Sequence, residues 1–177
     1  STDSVSTSVR HNTEHTVTST KPVRDGYIFD GWKLADDSFL INNTFTVLSD
    51  VTLTAEWSSI VARIERTGEF YRSITAAEAD ASAGDTITLL TDTVENFTNT
   101  KQVTLDLGTH TVTGTVTNNA SGNLTILNGE INNPDGVAVT NNGTFTMGVD
   151  DYKTEGGVNI LPNYVRIIGT TTGLKQN

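Results

Sequence analysis

The residues of this chain that could do chemistry are carboxylates and a few histidines. The sequence holds 21 Asp and Glu, three His and no Cys. Without cysteine there is no thiol nucleophile, no disulfide and no thiolate-held zinc. The acids that could act in pairs are Asp36, Asp37, Asp92, Asp106, Asp150, Asp151 and Glu155. Glycoside hydrolysis needs two carboxyls about 5–10 Å apart across a cleft, one to give a proton and one to attack or to activate water. Asp106 stands between Leu105 and Leu107, so in an extended strand it points to the opposite face from them. The neighbours expected beside it on adjacent rungs are Thr88, Thr125 and Thr146, a hydroxyl face and not a carboxylate pair.

The other candidates are weaker. His11 and His15 flank Glu14, but two histidines four apart hold a metal when a helix puts them on one face, and the surrounding Ser/Thr-rich arm is not helical. His110, between Thr109 and Thr111, reads as a solvated corner residue. No Gly-x-Ser-x-Gly nucleophile turn is present. Asp150 and Asp151, with Asn141 and Asn142 nearby, are weak candidates for calcium, since neither the EF-hand spacing nor a Gly-Gly-x-Gly-x-Asp repeat accompanies them. Tyr152 and Tyr164 sit in irregular connections and are the candidates for stacking on a sugar ring, against the plainer reading that they pack on the last coil. No catalytic set and no cofactor site is read.

Composition narrows the partners. A net charge of −10 repels nucleic-acid phosphates and anionic lipid surfaces. No apolar run approaches 18 residues, so no membrane insertion is expected. Abundant Thr and Asn with only three Pro predict an all-β chain with many corners.

The elements that must position these residues follow in order. Ser4–Val9 and Thr16–Ser19 are expected as thin strands. Arg24-Asp25-Gly26 and Asn42-Asn43 mark turns, and Tyr27, Phe29 and Trp32 are aromatic anchors. Phe45, Val47, Val51, Leu53, Ala55 and Trp57 alternate with polar residues, predicting a half-buried strand pair broken at Ser49-Asp50. A strand is expected over Ile60–Ile64, then a helix over 70–81 capped by Ser73 and stopped by Gly84. From Asp85 a phrase recurs, with Ile87, Val103, Leu124 and Phe145 as markers spaced by 16, 21 and 21 residues. Between the markers lie apolar patches at 94–97, 112–116, 131–139 and 158–168. One such unit cannot bury its own inner face, whereas stacked units can. Asn118, Asn119, Asn141 and Asn142 are placed at corners, where each can hydrogen-bond the next rung.

Two stretches carry a family resemblance. Asp25-Gly26-Tyr27-Ile28-Phe29-Asp30-Gly31-Trp32, with Val51-Thr52-Leu53-Thr54-Ala55-Glu56-Trp57, resembles the internalin-type B repeat over about residues 16–57. That resemblance implies a small β-grasp-like module of bacterial surface proteins. The family's first strand and Asn-Gly-Gly turn have no counterpart in residues 1–15. A helix followed by Gly84-Asp85-Thr86-Ile87-Thr88-Leu89-Leu90, and then Val103–Val112, resembles the start of β-helix domains on Gram-positive surface proteins over about residues 61–150. It implies a helix that covers the open end of the first coil.

The expectation is a mainly β chain: a β-grasp-like module over 1–58 and a right-handed parallel β-helix with an N-terminal capping helix over 59–177, cut at its C-terminal end. The function expected is non-catalytic, an adhesin-like binding or display segment outside a bacterial cell, at its surface or wall, with a host protein or polysaccharide as ligand. The alternatives are a fragment of a carbohydrate-active enzyme (polysaccharide lyase or glycosidase) and a passive spacer. Self-association through an uncapped last coil is expected as well.

Overall fold

The computed structural model describes residues 6–17, 21–148, 153–155, 158–160, 165–169 and 174–176. The chain divides into two compact units, Ser1–Ser59 and Ile60–Asn177.

The first unit holds β1 (Glu14–Thr16), β2 (Tyr27–Lys33), a 3-10 turn at Ile41–Asn43, β3 (Thr44–Thr46) and β4 (Thr54–Ser59). β1 pairs antiparallel with β3, and β2 with β4. The hairpin expected across Ser49-Asp50 is therefore replaced by two separate ribbons: Phe45 faces His15, and Trp57 faces Phe29. Period-2 alternation tells which face a side chain takes; it does not choose the partner strand. Residues 6–10 form no strand; of the expected Thr16–Ser19 strand, Thr16 ends β1, Val17 is in no strand, and the last two residues lie outside the described residues. A β-grasp sheet uniting the ribbons is not among the described residues.

In β2 the register shifts between Phe29 and Gly31. The extra residue, Asp30, returns Phe29 and Trp32 to one face although they are three apart. Their rings meet edge-on at 5.4 Å, and Trp57 meets Phe29 at 5.4 Å from the partner strand. Val47 alone among the described apolar residues of this unit is buried.

The second unit is a parallel β-solenoid. It opens with β5 (Ala62–Ile64), β6 (Phe70–Tyr71) and α1 (Ile74–Asp80). The first rung is β7 (Asp85–Leu89), β8 (Thr93–Val94) and β9 (Phe97–Asn99); the second is β10 (Gln102–Asp106), β11 (Thr111–Thr113) and β12 (Val116–Asn118). The third is β13 (Asn123–Leu127), β14 (Glu130–Asn133) and β15 (Val139–Asn141). After β16 (Thr144–Gly148) comes an antiparallel hairpin, β17 (Lys153–Glu155) with β18 (Val158–Ile160), and then β19 (Arg166–Gly169) and β20 (Leu174–Gln176). β16, β19 and β20 each pair in parallel with the third rung. Three sheets thus run along the stack: β5, β7, β10, β13 and β16 with β6 outermost; β8, β11, β14 and β19; and β9, β12, β15 and β20.

The inward row fills the stack. Ile87, Leu105 and Ile126 lie in one column, Val112 and Ile131 in a second, Phe97, Val116 and Val139 in a third, and each is at most 1 % exposed. Burial of one such aliphatic chain contributes roughly 1.5–3 kcal/mol relative to leaving it in water.

The markers Val103, Leu124 and Phe145 do stack on one another, and Ile87 alone stands two residues out of their column. Val103 stacks on Asp85, and Ile87 on Leu105, so the equivalent residues are Ile87, Leu105, Ile126 and Met147, spaced by 18, 21 and 21. A slip of two residues keeps every side chain on its own face, so hydrophobicity cannot reveal it. Of the neighbours expected beside Asp106, Thr88 does stack on it, but the next rung places Leu127 there, and Thr125 and Thr146 belong to the column of Thr86 and Thr104.

The helix is shorter than expected. Phe70 and Tyr71 pair with β5 instead, and Ser73 caps the helix, its hydroxyl accepting from the Ala76 amide at 3.0 Å. Gly84, at φ +90, is not the helix stop; it turns the chain into β7 after the helix has ended at Ala81. Of the patch expected over 158–168, the first part is β18 of the hairpin and only the last part joins the stack.

Candidate functional site

Several described carboxylates of the second unit are committed to the backbone and to basic groups. Asp85 occupies the inward row below Val103 and is 5 % exposed. It accepts from Arg66 Nε at 2.7 Å, Arg66 Nη2 at 2.9 Å and the Ser82 amide at 2.8 Å. The Arg66 hydrogen bond, and after it the Ser82 amide, hold this carboxyl below its usual range. Glu65 is lowered in the same sense by Arg63 and the Thr88 hydroxyl.

Glu95 and Lys101 bind the helix at its two ends. Glu95 accepts from the amides of Ile74 and Thr75 at 3.0 and 2.9 Å. Lys101 Nζ donates to the carbonyls of Glu78, Ala79 and Ala81 at 2.6–2.9 Å. A negative group at the free amides and a positive group at the free carbonyls match the charge pattern of helix ends. Glu78, buried on the helix, accepts from the Thr100 amide and hydroxyl. The helix is thereby keyed to the first rung at three points.

A buried asparagine ladder runs up the corner after the third sheet. Asn99 Nδ2 donates to Asn118 Oδ1, and Asn118 Nδ2 to Asn141 Oδ1, both at 2.8 Å. All three side chains are at most 3 % exposed. Of the four corner asparagines singled out, Asn118 and Asn141 belong to this ladder; Asn119 and Asn142 do not stack into it and are tied by their amides to Asn99 O and Asn118 O. Asn99 was missed, although Phe97-Thr98-Asn99, Val116-Thr117-Asn118 and Val139-Thr140-Asn141 repeat one apolar-Thr-Asn phrase.

The outward surface is therefore what a ligand would meet. Thr86, Thr104, Thr125 and Thr146 form one column, and Thr98, Thr117 and Thr140 another. Rungs of a parallel sheet lie about 4.8 Å apart, which sets the spacing of the hydroxyls. A shallow groove of about 420 Å³ follows the corner between the second and third sheets, lined by Val94, Asn96, Thr113, Thr115, Asn133 and Asp135. Its amides are ordered: Asn96 Oδ1 accepts from the Thr115 amide at 2.9 Å, and Asn133 Nδ2 donates to the Thr115 hydroxyl at 2.8 Å. A second groove of about 270 Å³ follows the preceding corner and includes His110, Thr111, Glu130 and Arg166.

Most of the other described candidates have partners close by within their own unit. His110 is not merely solvated: its Nδ1 lies 3.3 Å from Asp92, whose Oδ1 also accepts from the Thr111 amide. Asp106 accepts from the Gly108 amide and from Asn128 Nδ2. In the first unit, His11 Nε2 is 3.0 Å from Leu48 O, and His15 packs edge-on against Phe45. Asp36 accepts from the Ser38 hydroxyl and amide, which lower its pKa, and Asp37 pairs with Lys33 at 3.1 Å. Glu155 lies in β17. Asp150, Asp151, Tyr152 and Tyr164 lie outside the described residues. Among the described residues no three His, Asp or Glu converge as a metal site would require, and no helix is long and apolar enough to cross a membrane.

Fold and surface together define a mainly β protein built on a parallel β-solenoid. No known protein family, curated protein or solved structure matches the chain.

Proposed function

We propose that the chain is a non-catalytic binding or display segment of a bacterial cell-surface protein. The observation that carries this reading is the outward surface of the solenoid: two threonine columns at rung spacing and a shallow corner groove with ordered amides. Hydroxyls and amides repeated at a fixed step suit a long neutral partner, such as a polysaccharide or an extended peptide, which can engage many equivalent groups at once. Three of the described carboxylates that could serve in hydrolysis of a glycoside have other partners. Asp85 is held by Arg66, Glu95 by the helix amides and Asp106 by Asn128. The resemblance of Asp25–Trp32 and Val51–Trp57 to surface-protein repeats favours the extracellular setting.

A glycan and matrix-protein array probed with the 177-residue chain tests the reading. Binding that weakens when Thr104 and Thr125 are both changed to Lys supports a role for this face. Silence across the array favours a passive spacer, and release of reducing or unsaturated ends from any polysaccharide overturns the non-catalytic assignment.

A further inference from the structure

Between the second and third sheets the corners of the three rungs are not alike. The first rung turns on Glu95-Asn96 and the second on Gly114-Thr115, whereas the third takes the longer path 134–138 from β14 to β15. That longer loop is braced from within. Asn133 Oδ1 accepts from the Asp135 amide at 3.0 Å, and Asn133 Nδ2 donates to Val137 O at 3.1 Å and to the Thr115 hydroxyl at 2.8 Å. The Thr115 hydroxyl in turn donates to Val137 O at 3.0 Å. The groove of about 420 Å³ runs over the two short corners and ends on this loop. A site built on braced backbone loses little freedom when a ligand enters.

Side-chain groups in the groove are left over for a ligand. Asn96 Oδ1 accepts from the Thr115 amide, which sets the orientation of the Asn96 amide. The Asn96 Nδ2 hydrogens then have no partner among the described residues. Thr113 turns outward, opposite the buried Val112. Among the described residues its hydroxyl has no partner, and neither does the carboxylate of exposed Asp135. The groove thus offers a donor on the first rung, a hydroxyl on the second and an acceptor on the third. The span is two rung steps, about 10 Å. Val94, 85 % exposed, pairs beside Thr113, and exposed Pro134 precedes Asp135, so apolar surface lies between the polar groups.

We infer that this groove is the subsite for a neutral glycan, whose hydroxyls bond to Asn96, Thr113 and Asp135 while its C–H faces lie on Val94 and Pro134. The inference rests on the binding reading above and narrows its ligand. Charge argues against acidic glycans, nucleic acid and phosphorylated partners. Glu95 and Asp135 line the groove, and among the described residues no Lys, Arg or His does. The backbone argues against a peptide. A peptide strand needs a free edge, a proline-rich segment an aromatic groove and a helix an apolar one. Here the amides of Glu95, Phe97, Gly114 and Val116 already donate to the next rung. No aromatic residue lines the groove among the described residues. Sugar hydroxyls both donate and accept, so a row of them can answer a donor, a hydroxyl and an acceptor in succession.

The test uses the 177-residue chain and soluble hexasaccharides of glucose, mannose and N-acetylglucosamine, with hexagalacturonate as the acidic probe. In NMR amide-shift mapping, at least one neutral hexasaccharide should move the amides of Asn96, Thr113 and Asp135. Hexagalacturonate should move none of them. Asp135→Ala and Thr113→Val each remove a group that bonds nothing else among the described residues, so both variants should fold as the parent does. Each should weaken the affinity for that neutral probe by about tenfold. A neutral probe that moves only other amides, or that binds both variants as tightly as the parent, overturns the groove and leaves the binding reading standing. If none of the neutral hexasaccharides binds, the inference fails as well. Array signal from acidic glycans or proteins would then keep the binding reading, and silence would end both. The shift map needs no variant, so a variant that failed to fold would leave the test intact.

Discussion

The carboxylate of Asp85 meets the guanidinium of Arg66 at two points, 2.7 and 2.9 Å, in a row where the next rungs place Val103 and Leu124. The stack therefore begins on a charged residue, and the pair joins the turn after β5 to the first rung. The Arg66 contact and the Ser82 amide depress the Asp85 pKa below its usual 3.8. The unfolded chain then binds more protons than the folded one across the window beneath that value. The contribution of Asp85 is complete above about pH 4 and is lost as pH falls through its folded pKa. Glu65 acts in the same direction. Asp85→Asn should lower the melting midpoint at pH 7 by roughly 5 °C. Melts followed by circular dichroism from pH 7 to pH 2 should show the gap between wild type and variant closing in acid. A gap constant with pH would mean that the charge of Asp85 is not what stabilises this seam.

Asn118 makes the central bonds of the buried ladder. Besides joining Asn99 and Asn141, it donates to Thr144 O at 2.8 Å. Asn118→Ala leaves buried partners unmatched and should cost about 2–3 kcal/mol in urea unfolding. Asn118→Asp should cost more at neutral pH, because a carboxylate would face two oxygens where the amide donated. It should recover partly in acid, where the protonated group can donate one bond. Asn119→Ala, one residue along, should change stability by less than about 0.5 kcal/mol.

The parts of this fold that depend on period were legible in the sequence. Alternation and corner residues gave the solenoid, its capping helix and the inward row, because each rung must place an apolar side chain over the last. What depends on partner choice was not legible. Val103 reads as the neighbour of Ile87, because a two-residue slip leaves the pattern intact. Phe45 and Trp57 read as one strand pair, because alternation is silent about which strands meet. The polar groups that fasten the ends, Arg66, Glu95 and Lys101, act over 19 to 23 residues of sequence. Only their destinations, a buried carboxylate and the two ends of a helix, explain them. The corner asparagines could have been read further, since the apolar-Thr-Asn phrase recurs three times and its first instance contains Asn99.

Lys101 should act as the latch of the capping helix. Its ammonium group is shared among three carbonyls at the helix C-terminus, where a positive charge is favoured. Lys101→Met keeps the aliphatic stem and removes the charge and the donors, at a cost of about 1–2 kcal/mol. The loss should be local. Hydrogen exchange of the amides of Ala77 to Ala81 should speed up by about tenfold. Amides of β13, two rungs away, should keep their protection. Equal acceleration in both places would show that helix and stack open as one unit, and that Lys101 serves global stability only.

Two glycines separate conformational strain from crowding. Gly84 has φ +90 with nothing within 4 Å of the place where a Cβ would stand. Gly84→Ala should therefore cost only the left-handed penalty, about 1 kcal/mol. Gly143 has no such φ, but a Cβ there would run into the backbone oxygens of Asn119 and Gly122 on the rung below. Backbone held in a ladder cannot yield as a side-chain tip can. The Asn119 carbonyl is fixed by the amide of Gly122, and the Gly122 carbonyl by the amide of Thr144. Relief must come from lifting β16 off the third rung at its Thr144 corner. Gly143→Ala should cost about 3 kcal/mol, and its effect should appear first in β16, as faster exchange of the Thr144 and Thr146 amides that bond the third rung. An alanine at 143 that costs no more than one at 84 would mean that the two rungs are not in close contact at this corner.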